Sequence, residues 1–152
     1  MGRAMNLTQD DFRQQAEFRF MLRHFLKSSE VHARAHGLEA AQFQLLLAVR
    51  GMPGDEPPNV TSVAKRLLVE THTVVEMVDK MIEKGMMERF REGKDRRCVY
   101  LRVTPAGEVV LEKIALLNRR VLSESLPQFM EFIESLQRNM GARGGQELRP
   151  GV

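Results

Sequence analysis

The chain has 152 residues, 43% of them hydrophobic and 28% charged, which is the composition of a globular domain or of one domain with an extension. It holds no run of about 18 apolar residues, so no transmembrane helix is expected. The net charge of +3 is too mild to imply a nucleic-acid partner by itself, and the single cysteine, Cys98, cannot close an internal disulfide and fits a reducing cytoplasm.

The N-terminus lacks the long apolar core of a signal peptide, so none is expected. Residues from about Asp10 to Ala35 read as a long first helix. Phe12, Ala16 and Phe20 recur along it at helical spacing, with Met21, Leu22, Phe25 and Leu26 widening the apolar surface beyond one stripe. A helix apolar on more than one side is packed on more than one side. Gly37 marks its end. Leu38 to Val49 reads as a second helix with Phe43, Leu46 and Leu47 inward, followed by loop chemistry from Gly51 to Asn59.

Thr61 is a candidate N-cap for a short third helix carrying Val63, Ala64, Leu67 and Leu68. A fourth helix runs from about Thr71 to Lys84, with Val74, Val78, Met81 and Ile82 on one face and Gly85 at the C-terminal cap. Met86 to Arg91 and Cys98 to Val103 are strand-like and flank the tip Glu92-Gly93-Lys94-Asp95-Arg96-Arg97. Thr104 as N-cap and Pro105 at the first position open another helix, carrying Val110, Ile114, Leu117 and Val121. A last helix is expected to start near Pro127 and to carry Phe129, Met130, Ile133 and Leu136. From Gly141 the Gly/Arg-rich tail is expected to be disordered.

Helix, turn, helix and basic hairpin make up a winged helix-turn-helix, in which one helix enters a DNA groove and the hairpin lies beside it. The placement of charge agrees. Between Arg89 and Arg102, six basic residues (Arg89, Arg91, Lys94, Arg96, Arg97, Arg102) stand against two acidic ones (Glu92, Asp95), a local +4 that exceeds the net charge of the whole chain. The apolar stripes of the first and last helices exceed what a core of roughly sixty residues needs, so they are expected to pack against a second copy of the chain. The fold class expected is therefore mainly α with a small β-wing. The expected divisions are an N-terminal dimerisation helix over 10–36, a DNA-binding region over 38–104, C-terminal dimerisation helices over 105–140 and a tail over 141–152.

The segments Val74-Val75-Glu76-Met77-Val78-Asp79-Lys80-Met81, Glu83-Lys84-Gly85-Met86-Met87-Glu88-Arg89, Asp95-Arg96-Arg97 and Leu101-Arg102-Val103-Thr104-Pro105-Ala106-Gly107 resemble the MarR (multiple-antibiotic-resistance regulator) family. The family's recognition helix ends in V-D-[RK]-L-x-x-[KR]-G, its wing carries D-x-R or D-R-R, and L-T-x-x-G opens the next helix. The resemblance spans about residues 10 to 140. It implies a homodimer whose terminal helices interdigitate and whose winged lobes grip a palindromic operator. It implies a repressor in most members, and release of DNA by a small phenolic or aromatic ligand in many. This chain departs from the pattern at Glu70-Thr71-His72-Thr73, at Glu76 and at Leu68, departures that bear on the operator rather than the fold.

On the fourth helix, Thr71, His72, Thr73, Glu76 and Lys80 are expected on the exposed side, where Thr and His can donate to bases or phosphates and Lys80 can reach a phosphate. Glu76 can accept from cytosine N4, or it can simply pair with Lys80 at i+4. Lys65 and Arg66 on the third helix are candidate phosphate contacts. Lys94, Arg96 and Arg97 are candidate wing contacts, with one arginine in the minor groove. Asp95 is expected to lock the wing through a charge-assisted hydrogen bond. Phe20, His24 and Phe43 are candidates for lining an effector pocket. His32 and His36 have the i, i+4 spacing of a metal half-site, but nothing completes it, and no metal or cofactor is expected. Arginines near Cys98 can favour its thiolate.

No phosphate loop, H-E-x-x-H or G-x-S-x-G motif is present, so the chain is not read as an enzyme. The function expected is a sequence-specific regulator of transcription that binds double-stranded DNA. The alternative is a winged-helix interaction module whose basic wing takes an acidic partner.

Overall fold

The computed structural model describes residues 7–93 and 96–143. Its elements run α1 (Gln9–Ala35), α2 (Ala40–Arg50), α3 (Val60–Leu67), α4 (Thr71–Glu83), β1 (Met87–Phe90), β2 (Tyr100–Val103) and α5 (Pro105–Arg143). It is a mostly helical protein with one antiparallel two-stranded sheet. Two compact units emerge. The winged unit is Ser29–Asn118, and the terminal unit joins Met1–Ser28 to Arg119–Val152. The boundary falls within α1 and within α5, so the winged unit takes in the last turns of α1 and the first of α5.

In the winged unit, α2 packs on α3, α4 and β2, and α4 also packs on β1. Leu45 and Leu46 of α2, Val63 of α3 and Val74, Val78 and Met81 of α4 are all 0% exposed. Each burial is worth roughly 1.5–3 kcal/mol, several times a surface ion pair, so this core rather than any charge sets how α3 and α4 meet. Leu47 corrects the sequence reading. It is 47% exposed, because a stripe through Leu45, Leu46 and Val49 leaves it about 100° round the helix from Leu46.

The start of α3 also differs from expectation. Asn59, not Thr61, is the N-cap. Its Oδ1 accepts from the Ser62 N–H at 2.9 Å, while Ser62 Oγ accepts from the Asn59 N–H at 3.0 Å. This reciprocal pair satisfies two donors that the helix leaves open, and Asn59 also bridges Tyr100 of β2, so it fixes α3 to the wing base. Replacing Asn59 with Ala is expected to destabilise the protein by about 1 kcal/mol in urea unfolding. Leu68 is likewise not on the apolar face. It caps α3 in the left-handed region at φ 57° and is 92% exposed.

At the end of α4, Gly85 adopts φ +71°, and the Met86 N–H donates to the Met81 carbonyl at 2.9 Å, the wide closing bond of a left-handed helix cap. Thr104 then opens α5 as expected: its Oγ1 accepts from the Gly107 N–H at 3.2 Å and donates to the Gly85 carbonyl at 2.6 Å. Gly107 is glycine for want of room, since a Cβ there would lie 2.3 Å from the Met86 carbonyl oxygen. The end of α4, the base of the wing and the start of α5 are thus bound into one knot. Farther along, Ser29 and Asn118 form a buried polar pair. Asn118 Nδ2 donates to Ser29 Oγ at 2.9 Å, and His32 Nδ1 donates to Asn118 Oδ1 at 2.8 Å.

The terminal unit consists of the first part of α1 and the last part of α5. Phe18 lies between Phe129 and Phe132, with ring centroids 6.0 Å away in each case. Two C-terminal helices broken near Pro127 were expected; one 39-residue helix with Pro127 inside it is found. Proline removes one backbone donor, but the ring contacts of Phe129 and Phe132 with α1 reward the helix for continuing past it. The helix also persists through 141–143, where the tail was expected to begin; the rest of that tail lies outside the described residues. No described residue of the terminal unit is fully buried. Phe12 (55%), Phe20 (57%), Leu26 (52%), Leu126 (55%) and Met130 (51%) are all exposed.

Candidate nucleic-acid interface

The candidates for meeting DNA lie on α3, on α4 and in the wing. Burial of Val74, Val78 and Met81 turns the opposite side of α4 outward, so Thr71, His72, Glu76 and Lys80 are exposed and Thr73 is half-buried. Lys65 and Arg66 are exposed on α3. The recognition-helix and α3 candidates thus all lie on the surface of one unit.

In the wing, β1 and β2 pair Met87 with Val103, Glu88 with Arg102, Arg89 with Leu101 and Phe90 with Tyr100. Met87 and Leu101 turn into the core, which leaves Glu88, Phe90, Tyr100 and Arg102 on the outer face. Arg102 pairs with Glu88 directly opposite and stands 4.7 Å over the Phe90 ring. Arg89, on the inner face, reaches back to Asp79 of α4 at 2.7 Å. Arg91 donates to the Arg96 carbonyl and braces the tip. The +4 of the wing is therefore divided: Arg89 and Arg102 are neutralised by acids from outside the tip, and the cationic character moves to the tip itself. Arg96 and Arg97 are exposed there. Lys94 and Asp95 lie outside the described residues, and so does the expected locking role of Asp95.

Sequence reasoning missed the Asp79–Arg89 and Glu88–Arg102 pairs. The second was legible in principle, because a hairpin of this register places 88 opposite 102. The first joins a helix to a strand across a turn and has no spacing signature.

Two stripe residues of α4 contrast. Asp79 is paired with Arg89, whereas Glu76, three residues before it, has no hydrogen-bond or ion-pair partner among the described residues, Lys80 included.

Phe20 and His24 line a groove of about 440 Å³ on the terminal unit, together with Met21, Phe25, Leu122 and Phe129. Their rings stand 6.3 Å apart. Phe43 does not join them: it is 3% exposed, in the core of the winged unit, because it sits on the inward side of α2. His32 and His36 are engaged elsewhere, His36 Nδ1 donating to the His32 carbonyl at 2.8 Å. Among the described residues no group of three or more His, Cys, Asp or Glu could hold a metal ion. Cys98 is exposed near the wing tip. No helix among the described residues is long and apolar enough to cross a membrane.

Comparison with known proteins agrees with this layout. The model of the MarR family matches residues 36–97, the stretch from the end of α1 through the wing tip. The HTH-type transcriptional regulator YkoM of Bacillus subtilis is 32% identical over 117 residues, 74% of this chain and 66% of that protein. The HTH-type transcriptional repressor MdtR of the same organism is 30% identical over 78 residues, 51% of this chain and 50% of that protein. The chain thus spans about half to two thirds of the length of these curated relatives. The crystal structure of apo MarR from E. coli superposes with a TM-score of 0.64 over 84% of this chain and 94% of that one, at 19% identity, a likeness of fold. With the family model lying over the helix-turn-helix and the first strand and tip of the wing, and with sequence relatives and fold in agreement, the chain belongs to the MarR family of winged-helix transcriptional regulators.

Proposed function

We propose that this protein binds double-stranded DNA as a homodimer and represses transcription from a palindromic operator, which it leaves when a small aromatic effector binds. The observation that carries the DNA reading is the co-presentation, on one unit, of an exposed face of α4 and a wing tip bearing Arg96 and Arg97. In this reading Thr71, His72, Thr73 and Glu76 meet base edges. Lys65, Arg66 and Lys80 meet phosphates, and Arg96 and Arg97, with Lys94, serve the wing. The dimer is supported by the terminal unit, which has no fully buried described residue and needs a cover for its apolar surface. Repression is supported by the likeness to MdtR, a repressor by name. The effector is supported by the groove beside Phe20, Phe25 and Phe129, whose rings suit an aromatic body and whose His24 supplies a polar partner.

The test is a salt titration on duplexes selected from a random pool. Affinity for the selected site is expected to fall linearly in log–log coordinates, losing roughly 10³-fold or more between 50 and 200 mM salt. The selected site is expected to be two-fold symmetric, with half-site centres about one helical turn apart. A chain that ignores every duplex at low salt refutes the proposal.

A further inference from the structure

We infer that Glu76 is the residue that sets base preference, demanding cytosine at one position of each operator half-site; this rests on the reading of the chain as a DNA-binding dimer. Glu76 is the sixth residue of the 13-residue α4, in the half of the helix that reaches deepest into a major groove. It is exposed, and it lies on the stripe His72, Glu76, Asp79 that faces away from the core. Asp79 on that stripe is neutralised by Arg89 at 2.7 Å; Glu76 has no partner among the described residues. An unpaired carboxylate brought against a polyanion is repelled unless a donor on the DNA meets it. Only one base edge does so without penalty. Cytosine offers the N4 amino group alone, adenine sets its N7 acceptor beside N6, and guanine and thymine present acceptors. Glu76 therefore favours cytosine over the other three bases, and it weakens binding to unselected DNA.

The experiment compares the full-length wild type, Glu76→Gln and Glu76→Ala by selection from a randomised duplex pool, followed by competition binding at fixed salt. Wild type is expected to select cytosine at one symmetric pair of positions. Glu76→Gln is expected to move that position to adenine by about tenfold, since an amide can both donate to N7 and accept from N6. Glu76→Ala is expected to lose the preference, and both variants to bind unselected duplex more tightly. Because Glu76 is exposed in mid-helix, both should retain wild-type helical content, and a circular-dichroism spectrum checks this. If both variants select the wild-type sequence with unchanged discrimination, the inference is overturned while DNA binding stands. If the wild type selects no sequence, the functional reading falls and this inference with it.

Discussion

Replacing Arg96 and Arg97 together by alanine is expected to weaken operator binding by about 10- to 100-fold near 0.1 M salt, with dimerisation and helical content unchanged. The argument is one of division of labour within the wing. Arg89 is bound to Asp79, and Arg102 to Glu88 and the Phe90 ring, so these two arginines build the hairpin. Arg96 and Arg97 are exposed at the tip. A dimer presents the pair twice, so the variant removes four charges, and the slope of log affinity on log salt should fall by up to about 4 if all four meet phosphates. A fall in affinity with an unchanged slope would instead place the arginines on bases or in the groove. Unchanged affinity would remove the wing from the mechanism.

The same division shows what the sequence could tell and what it could not. The span from α3 to the start of α5 was legible because its signals are local. Val74, Val78 and Met81 announce the buried side of α4, Gly85 its end, and Thr104 with Pro105 the opening of α5. Count of charge was legible too, but not its pairing. Whether an arginine is a tool for binding or a strut depends on which acid lies within reach in space, and Asp79 is ten residues from Arg89. Pro127 misled for a related reason: proline's local preference is to end a helix, and ring packing by Phe129 and Phe132 against Phe18 outweighs it here. Thr61 misled because two capping residues stand close together, and only the reciprocal bonds of Asn59 and Ser62 decide between them.

The candidate interface also has an uneven sign. The outward stripe of α4 carries Glu76, Asp79 and Glu83 as well as His72 and Lys80, whereas the wing tip is cationic. In the proposed reading, attraction to the phosphate backbone comes from the wing, Lys65, Arg66 and Lys80, and discrimination from the rest of the outward face of α4. A protein so arranged would bind bulk DNA weakly for its fold and depend on two half-sites engaged at once. Such dependence would make the proposed dimer the element on which affinity rests.

Phe20→Asp is accordingly expected to have the largest effect of any single substitution considered: a monomeric protein at micromolar concentration and a loss of operator affinity of roughly 10²- to 10⁴-fold. Phe20 is 57% exposed in the single chain and lies on a unit without one fully buried described residue. In a two-fold interface the substitution is met twice, and each copy gives up a buried ring and puts an unpaired carboxylate among apolar groups, at a cost of about 3 kcal/mol or more. The winged unit holds its own core around Leu46, Val78 and Met81, so it should keep its fold, and amide exchange in α3 and α4 is expected to stay slow. Sedimentation velocity and operator titration read the two halves of the prediction separately. A variant that still sediments as a dimer shows that the apolar face around Phe20 is not the interface. A monomer that keeps full operator affinity shows that one winged unit suffices, and the two-fold operator would have to be abandoned.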